Sequence, residues 1–184
     1  IEPSLYLADY EDYQFAGTLG SATMRISIEE VVAVGAELLL RWNTPVEGLS
    51  LSLIGSLNST EIEDLDAATD GLLAGIEDGE QLPYVPEWDV RAGVDYEWPV
   101  MGDWTASASA AYYRRDGSTD FNLPLKSSAV SDLSMRLALA NQNWRVTLWG
   151  KNLTDDEGPS GTVGGNFVRW DRRSVGVMLE YTFD

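Results

Sequence analysis

The last thirteen residues read Arg172-Arg173-Ser174-Val175-Gly176-Val177-Met178-Leu179-Glu180-Tyr181-Thr182-Phe183-Asp184. In an extended chain successive side chains point to opposite sides. Val175, Val177, Leu179, Tyr181 and Phe183 therefore share one side. Ser174, Gly176, Glu180 and Thr182 share the other, with Met178 among them. Period-two alternation of this kind marks a strand with one oily and one wet face. Two aromatics close the oily side beside the terminus, where a membrane-interface girdle would sit. The stretch reads as the closing strand of an outer-membrane β-barrel.

The same alternation recurs upstream. Ser4 to Phe15 opens with Leu5 and Leu7 on one face, then sets Tyr10, Tyr13 and Phe15 among acids. From about Val32 to Trp42, the residues Ala36, Leu38, Leu40 and Trp42 oppose Gly35, Glu37, Leu39 and Arg41. Leu49 to Asn58 alternates Leu with Ser. Trp88 to Trp98 sets Trp88, Val90, Ala92, Val94, Tyr96 and Trp98 against Asp89, Arg91, Gly93, Asp95 and Glu97. Trp104 to Tyr113, Asp132 to Leu139 and Trp144 to Lys151 complete a count of about eight strands. The connections alternate in length. Short ones lie around Pro45, Pro99 and Gln142; longer ones lie near Gly20, Asp70, Gly117 and Gly161. Short periplasmic turns and long external loops give outer-membrane barrels this asymmetry. Trp42, Trp98, Trp104 and Trp144 stand beside the short turns, as an aromatic belt requires. Both termini are expected on the periplasmic side. A soluble β-sandwich would alternate too, but has less reason to repeat tryptophan beside one set of turns.

Composition agrees. The chain has 184 residues, no Cys, no His and a net charge of −18. Disulfides, zinc-thiolate sites and the commonest general base are excluded. Nucleic acid is an unsuitable partner, because phosphate binding needs basic patches. No apolar run of about 18 residues exists for a transmembrane helix, which leaves short, alternately apolar strands as the way across. Ile1 opens directly into strand-like sequence, which reads as a trimmed product or a piece of a longer chain.

Candidate functional groups fall into five sets. Glu37, Arg41, Arg91, Asp95, Asp132, Arg136, Arg145, Lys151 and Glu180 lie on the faces that a barrel turns inward. Spacings such as Arg91/Asp95 and Asp132/Arg136 suit mutual ion pairing; guidance of a substrate is the alternative. The stretch from about Ser59 to Pro86 carries Glu61, Glu63, Asp64, Asp66, Asp70, Glu77, Asp78 and Glu80 with no basic residue. It reads as a long solvated loop, with cation binding by carboxylate oxygens as the alternative, and its Ala and Leu residues allow a short helical turn. Tyr84, Phe121, Phe167 and Trp170 are loop aromatics that pack loops or stack on a ligand. Asp155-Asp156-Glu157 lacks the partner His or Lys that acid–base catalysis needs. Gly161, Gly164 and Gly165 lack the strand-to-helix setting of a phosphate loop. No catalytic, metal or cofactor residue is assigned, and the chain reads as a non-enzyme.

Trp149-Gly150-Lys151-Asn152-Leu153-Thr154-Asp155-Asp156, followed by the Arg172 to Phe183 strand, resembles the C-terminus of a TonB-dependent receptor. Asp9-Tyr10-Glu11-Asp12-Tyr13, Gly35-Ala36-Glu37-Leu38 and Leu82-Pro83-Tyr84-Val85-Pro86-Glu87-Trp88 resemble further motifs of that family, in order. The resemblance implies residues 1–184 as one segment of a barrel of roughly 22 strands, without its plug domain. It implies residence in the outer membrane of a Gram-negative bacterium, lipid contact and uptake of a small nutrient such as a siderophore, cobalamin or sugar. TonB would act only through the missing plug. The alternative is a self-contained eight-stranded barrel with a structural or adhesive role, because eight strands can close around their own side chains.

Overall fold

A computed structural model describes residues 1–19, 22–65, 77–119, 126–163 and 166–183. The described chain is all-β. Eight strands form one antiparallel sheet: β1 (Glu2–Leu19), β2 (Ala22–Asn43), β3 (Leu49–Leu65), β4 (Trp88–Met101), β5 (Trp104–Arg115), β6 (Val130–Ala140), β7 (Trp144–Lys151) and β10 (Ser174–Tyr181). Each neighbours its predecessor in the meander. β8 (Pro159–Val163) and β9 (Asn166–Arg169) form a separate small hairpin between β7 and β10. The sheet is open: β1 pairs with β2 and β10 with β7, and the two outer edges do not meet.

Register follows from the alternation. Leu51 pairs with Val94, Val94 with Ala110, Leu137 with Leu148 and Leu148 with Val177. A one-residue slip would throw every apolar side chain to the wrong face, so each strand holds its neighbours in phase. The short turns use left-handed glycines. Gly48 (φ 77°) and Gly102 (φ 62°) adopt a conformation that costs other residues about 1–2 kcal/mol.

Three expectations change. The first two strands run to Leu19 and from Ala22, so the long connection expected near Gly20 is mostly paired strand. β3 continues to Leu65, so the acidic stretch starts as strand and not as loop at Ser59. The Gly-rich stretch Asp155 to Asp171 contains the β8–β9 hairpin. All three extensions have one physical cause. Paired backbone satisfies its N–H and C=O groups without needing an oily face, and polar strands of this kind carry no apolar alternation. Glu29 and Glu30, ambiguous in sequence, are strand.

β3 pairs with β4 only from Leu49 to Leu57. Above that point the chain returning toward β4 covers the β3 edge. Asn58 N donates to Glu87 O (2.7 Å), Ile62 N to Glu80 O (3.0 Å) and Gly79 N to Ile62 O (2.8 Å). Leu82 N donates to Thr60 Oγ1 at 3.0 Å. This return limb seats Leu82 on Ile28, Val31 and Ile62, with Tyr13, Leu65 and Val85 packed around them. That cluster is the largest buried apolar core among the described residues, and it stands at one end of the sheet.

Candidate functional site

The sheet's two faces differ in chemistry. On the apolar face, Val94, Leu137, Leu148 and Leu179 are 36%, 49%, 50% and 62% exposed. With Leu38, Leu57, Val146 and Val177 they form an unbroken band across the strands. An exposed apolar surface of this breadth does not suit water, because each Å² left wet forgoes about 25 cal/mol. Aromatics close the band at the short-turn end. Trp144 and Tyr181 lie 4.6 Å apart, Tyr181 and Phe183 4.8 Å, and Tyr96 stacks on Trp98 at 4.8 Å. At the other end the Arg114 guanidinium stands 5.8 Å over the Trp88 ring.

The opposite face is polar and hollowed. Asp95, Ser109, Arg136, Trp149 and Lys151 line both of two adjoining hollows, of about 630 and 450 Å³. Arg145 and Glu180 line the larger and Arg91 the smaller. Six of the expected inward residues are therefore brought to one surface. The expected ion pairs are not formed. Arg91 and Asp95 share the face without bonding, as do Asp132 and Arg136. Asp132 instead accepts a hydrogen bond from Ser134 Oγ (2.8 Å). Charges four residues apart along a strand lie about 13 Å apart, too far for two side chains to close easily. Glu37 accepts from Ser4 Oγ at 3.3 Å, on the same face near the other edge. Large side chains fold over small ones here. Tyr6 lies across Gly35 and donates to Asn58 Oδ1 at 2.5 Å, and the Trp149 ring covers Gly176.

At the long-loop end the connections are tied together. Lys126 Nζ reaches Asp116 Oδ2 (2.7 Å) and Glu87 Oε1 (2.9 Å), joining the limb before β4 to the segment after β5. The hydrogen bond from Lys126 holds the Asp116 carboxyl below its ordinary range, and Asp116 followed by Glu87 raises the lysine. Tyr84 N donates to Thr119 O (2.9 Å) across the same gap. Asn152 is buried and uses its whole amide. Its Nδ2 donates to Asp156 O (2.9 Å) and Asp171 O (2.7 Å); its Oδ1 accepts from Thr154 Oγ1 (3.0 Å) and Asp156 N (3.1 Å). It thereby pins both ends of the 157–170 loop. Asp156 is partly buried, which opposes ionisation. Hydrogen bonds from Gly158 N, Ser131 N and Ser131 Oγ more than offset this and lower its carboxyl. Arg173 pairs with Asp155 at 3.1 Å.

The loop candidates separate accordingly. Asp155 and Asp156 are occupied structurally. Tyr84 adopts φ 64° and is exposed. Trp170 packs against Tyr113 (6.2 Å) and under Arg115 (5.5 Å). Glu61, Glu63 and Asp64 lie on β3, and Glu77, Asp78 and Glu80 on the return limb. Among the described residues no three Asp or Glu converge on a possible metal position. Asp66, Asp70, Phe121, Gly164, Gly165 and the Phe167 side chain lie outside the described residues. Sequence reasoning missed Asn152 and Lys126 as organisers. Asn at a left-handed position (φ 46°) is a recognised signal, since Asn tolerates that region best; Lys126 gave none.

A family profile described as "TonB dependent receptor-like, beta-barrel" matches residues 3–153. The similar solved structures include two receptors. One is the crystal structure of BauA, the ferric preacinetobactin receptor from Acinetobacter baumannii: TM-score 0.64, 16% identity, over 97% of this chain and 26% of that one. The other is FyuA, the ferric yersiniabactin uptake receptor from Yersinia pestis: TM-score 0.60, 13% identity, over 99% of this chain and 34% of that one. At these identities the likeness is one of fold. The chain spans about a quarter to a third of the length of these two receptors. No curated protein matches it in sequence.

Proposed function

This chain belongs to the TonB-dependent receptor β-barrel family, and from that membership we propose that residues 1–184 are one sector of a nutrient-uptake receptor in the outer membrane of a Gram-negative bacterium. One observation carries the reading: an unbroken exposed apolar band, closed by aromatics, backs directly onto a hollowed polar wall. Lipid is the solvent that suits the band. In lipid every backbone polar group needs a partner within the protein, so the two open edges call for more strands. That favours a sector of a large barrel over an eight-stranded barrel closed on itself.

The polar wall then faces the lumen, and the tied loops stand outside, where a nutrient arrives. The ferric-chelate receptors of the same fold make an iron chelate the first nutrient to test. Energy would come from TonB through a plug carried elsewhere in the receptor. The test is uptake of radioiron chelates by cells with and without the gene for the full-length protein. TonB-dependent accumulation that disappears with the gene supports the reading. A protein that fractionates in the aqueous phase, or unchanged uptake of iron chelates, cobalamin and sugars alike, contradicts it.

A further inference from the structure

One notch interrupts the oily side of β3. Leu38 pairs with Gly55, Gly55 with Val90 and Val90 with Arg114, all on that side of the sheet. The β3 neighbours of Gly55 on the same side, Leu53 and Leu57, are leucines. The missing side chain leaves a hollow of about 320 Å³ walled by Ala36, Leu38, Leu57, Trp88 and Val90. Glycine weakens a strand, and in mid-strand it often marks a bulge or the close approach of another molecule. β3 keeps unbroken register with both neighbours through Gly55, so there is no bulge. Nor does the packing of the sheet demand glycine: a Cβ there would meet only the Asp89 carbonyl, at an ordinary 3.5 Å. A cation stands at the rim. Arg114 lies two strand steps from Gly55, about 10 Å. Its guanidinium leans over the Trp88 ring at 5.8 Å. Among the described residues it forms no ion pair. The acids beside it in sequence are already engaged: Asp116 and Glu87 both hold Lys126, and the Asp89 carboxylate accepts from Ser56 Oγ.

Resting on the reading of the oily band as the lipid face, we propose that the Gly55 hollow and Arg114 form a site for one membrane lipid with an anionic phosphate head. An acyl chain lies in the hollow and the phosphate takes the guanidinium. Three features select that occupant. The wall of the hollow is apolar and continuous with the band, so a chain that enters stays in oily surroundings. The hollow lies toward the long-loop end, where β4 begins and β5 ends, which puts Arg114 within reach of a lipid head. A guanidinium presents a fork of donors that matches phosphate oxygens, and a cation at the edge of lipid is costly unless its charge is answered. The net charge of −18 opposes any broad anionic surface. The site is therefore local and takes a single lipid.

The experiment takes the full-length receptor in mild detergent and adds phosphatidylglycerol, or an uncharged diacylglycerol glycolipid with the same chains. Native mass spectrometry counts the lipids retained. Wild type is compared with Arg114→Gln, Arg114→Lys and Gly55→Leu. Wild type is expected to hold one phosphatidylglycerol about tenfold more tightly than the glycolipid, the effect of one charge-assisted contact. Arg114→Gln should remove the preference, Arg114→Lys should keep part of it, and Gly55→Leu should reduce retention of both lipids. Heat-modifiable gel migration checks barrel closure; if Gly55→Leu fails to close, Gly55→Val takes its place. Equal retention of the two lipids by wild type overturns the proposal, as does phosphatidylglycerol retention unchanged by Arg114→Gln or by filling the hollow. Arg114 then only stacks on Trp88, and lipid passes over the hollow as over the rest of the band. Reconstitution separates the two readings. If the receptor enters vesicles but shows no lipid preference, only the site falls; if it stays in the aqueous phase without detergent, the lipid-face reading falls.

Discussion

Single residues do specific work at the loop end. Asn152 satisfies both loop ends from one buried amide, and Asn152→Ala would orphan Asp156 O, Asp171 O and Asp156 N. Each buried polar group left unpaired costs about 1–3 kcal/mol. The expected outcome is faster proteolysis within 157–170 and a lower unfolding midpoint. Lys126 makes a different prediction. Lys126 and Glu87 are about half exposed and Asp116 about a fifth, so the pairs contribute at most about 1 kcal/mol; they tie loops and do not hold the barrel. Asp116 has a lowered folded value. Its contribution is therefore complete above the ordinary aspartate value and is lost as pH falls through the folded one. Lys126 has a raised folded value, so its contribution is complete below the ordinary lysine value and is lost as pH rises through the folded one. Spin labels on the two segments should show a constant separation from about pH 5 to 9 and loosening below about pH 4. Lys126→Gln should abolish that acid dependence.

At the scale of strands, legibility followed the oily band. Where one face meets an apolar surroundings, alternation is enforced, and Trp88 to Trp98 or Trp144 to Lys151 could be read to within a residue. Above the band both faces are polar or loop-covered, so β1, β2 and β3 lose their pattern. The register also shifts between Ile28 and Val31, opposite Leu65 and Ile62, which brings Ile28 and Val31 into one core despite their odd spacing. No period-two scan detects that. The polar wall was half legible: its residues were named, but ion pairing was expected within strands, whereas only cross-strand packing shows which of them share a hollow. Leu82 tests the return limb. Leu82→Ala opens the Ile28/Val31/Ile62 core and should cost about 2–3 kcal/mol, toward the lower end for buried leucines because the site lies at an edge. Hydrogen exchange at the Ile62 and Gly79 amides should rise, while exchange at Leu148 stays unchanged.

For the molecule as a whole, the apolar band and the polar wall make opposite demands on substitution. An arginine at Leu137, midway along the band, should cost about 2–4 kcal/mol of barrel stability, whereas one at Ser109 on the wall should cost far less. Folding of the two full-length variants into lipid vesicles, followed in urea, checks the difference. The central claim is that lipid covers one face and the lumen lies behind the other. The most direct measurement puts one fluorophore at a time, through Leu137→Cys, Leu148→Cys, Ser109→Cys or Ser134→Cys, into the full-length receptor in bilayers containing brominated lipid. Strong quenching at Leu137 and Leu148 with little at Ser109 and Ser134 is the predicted result. Equal quenching at all four, or the reverse order, would contradict it.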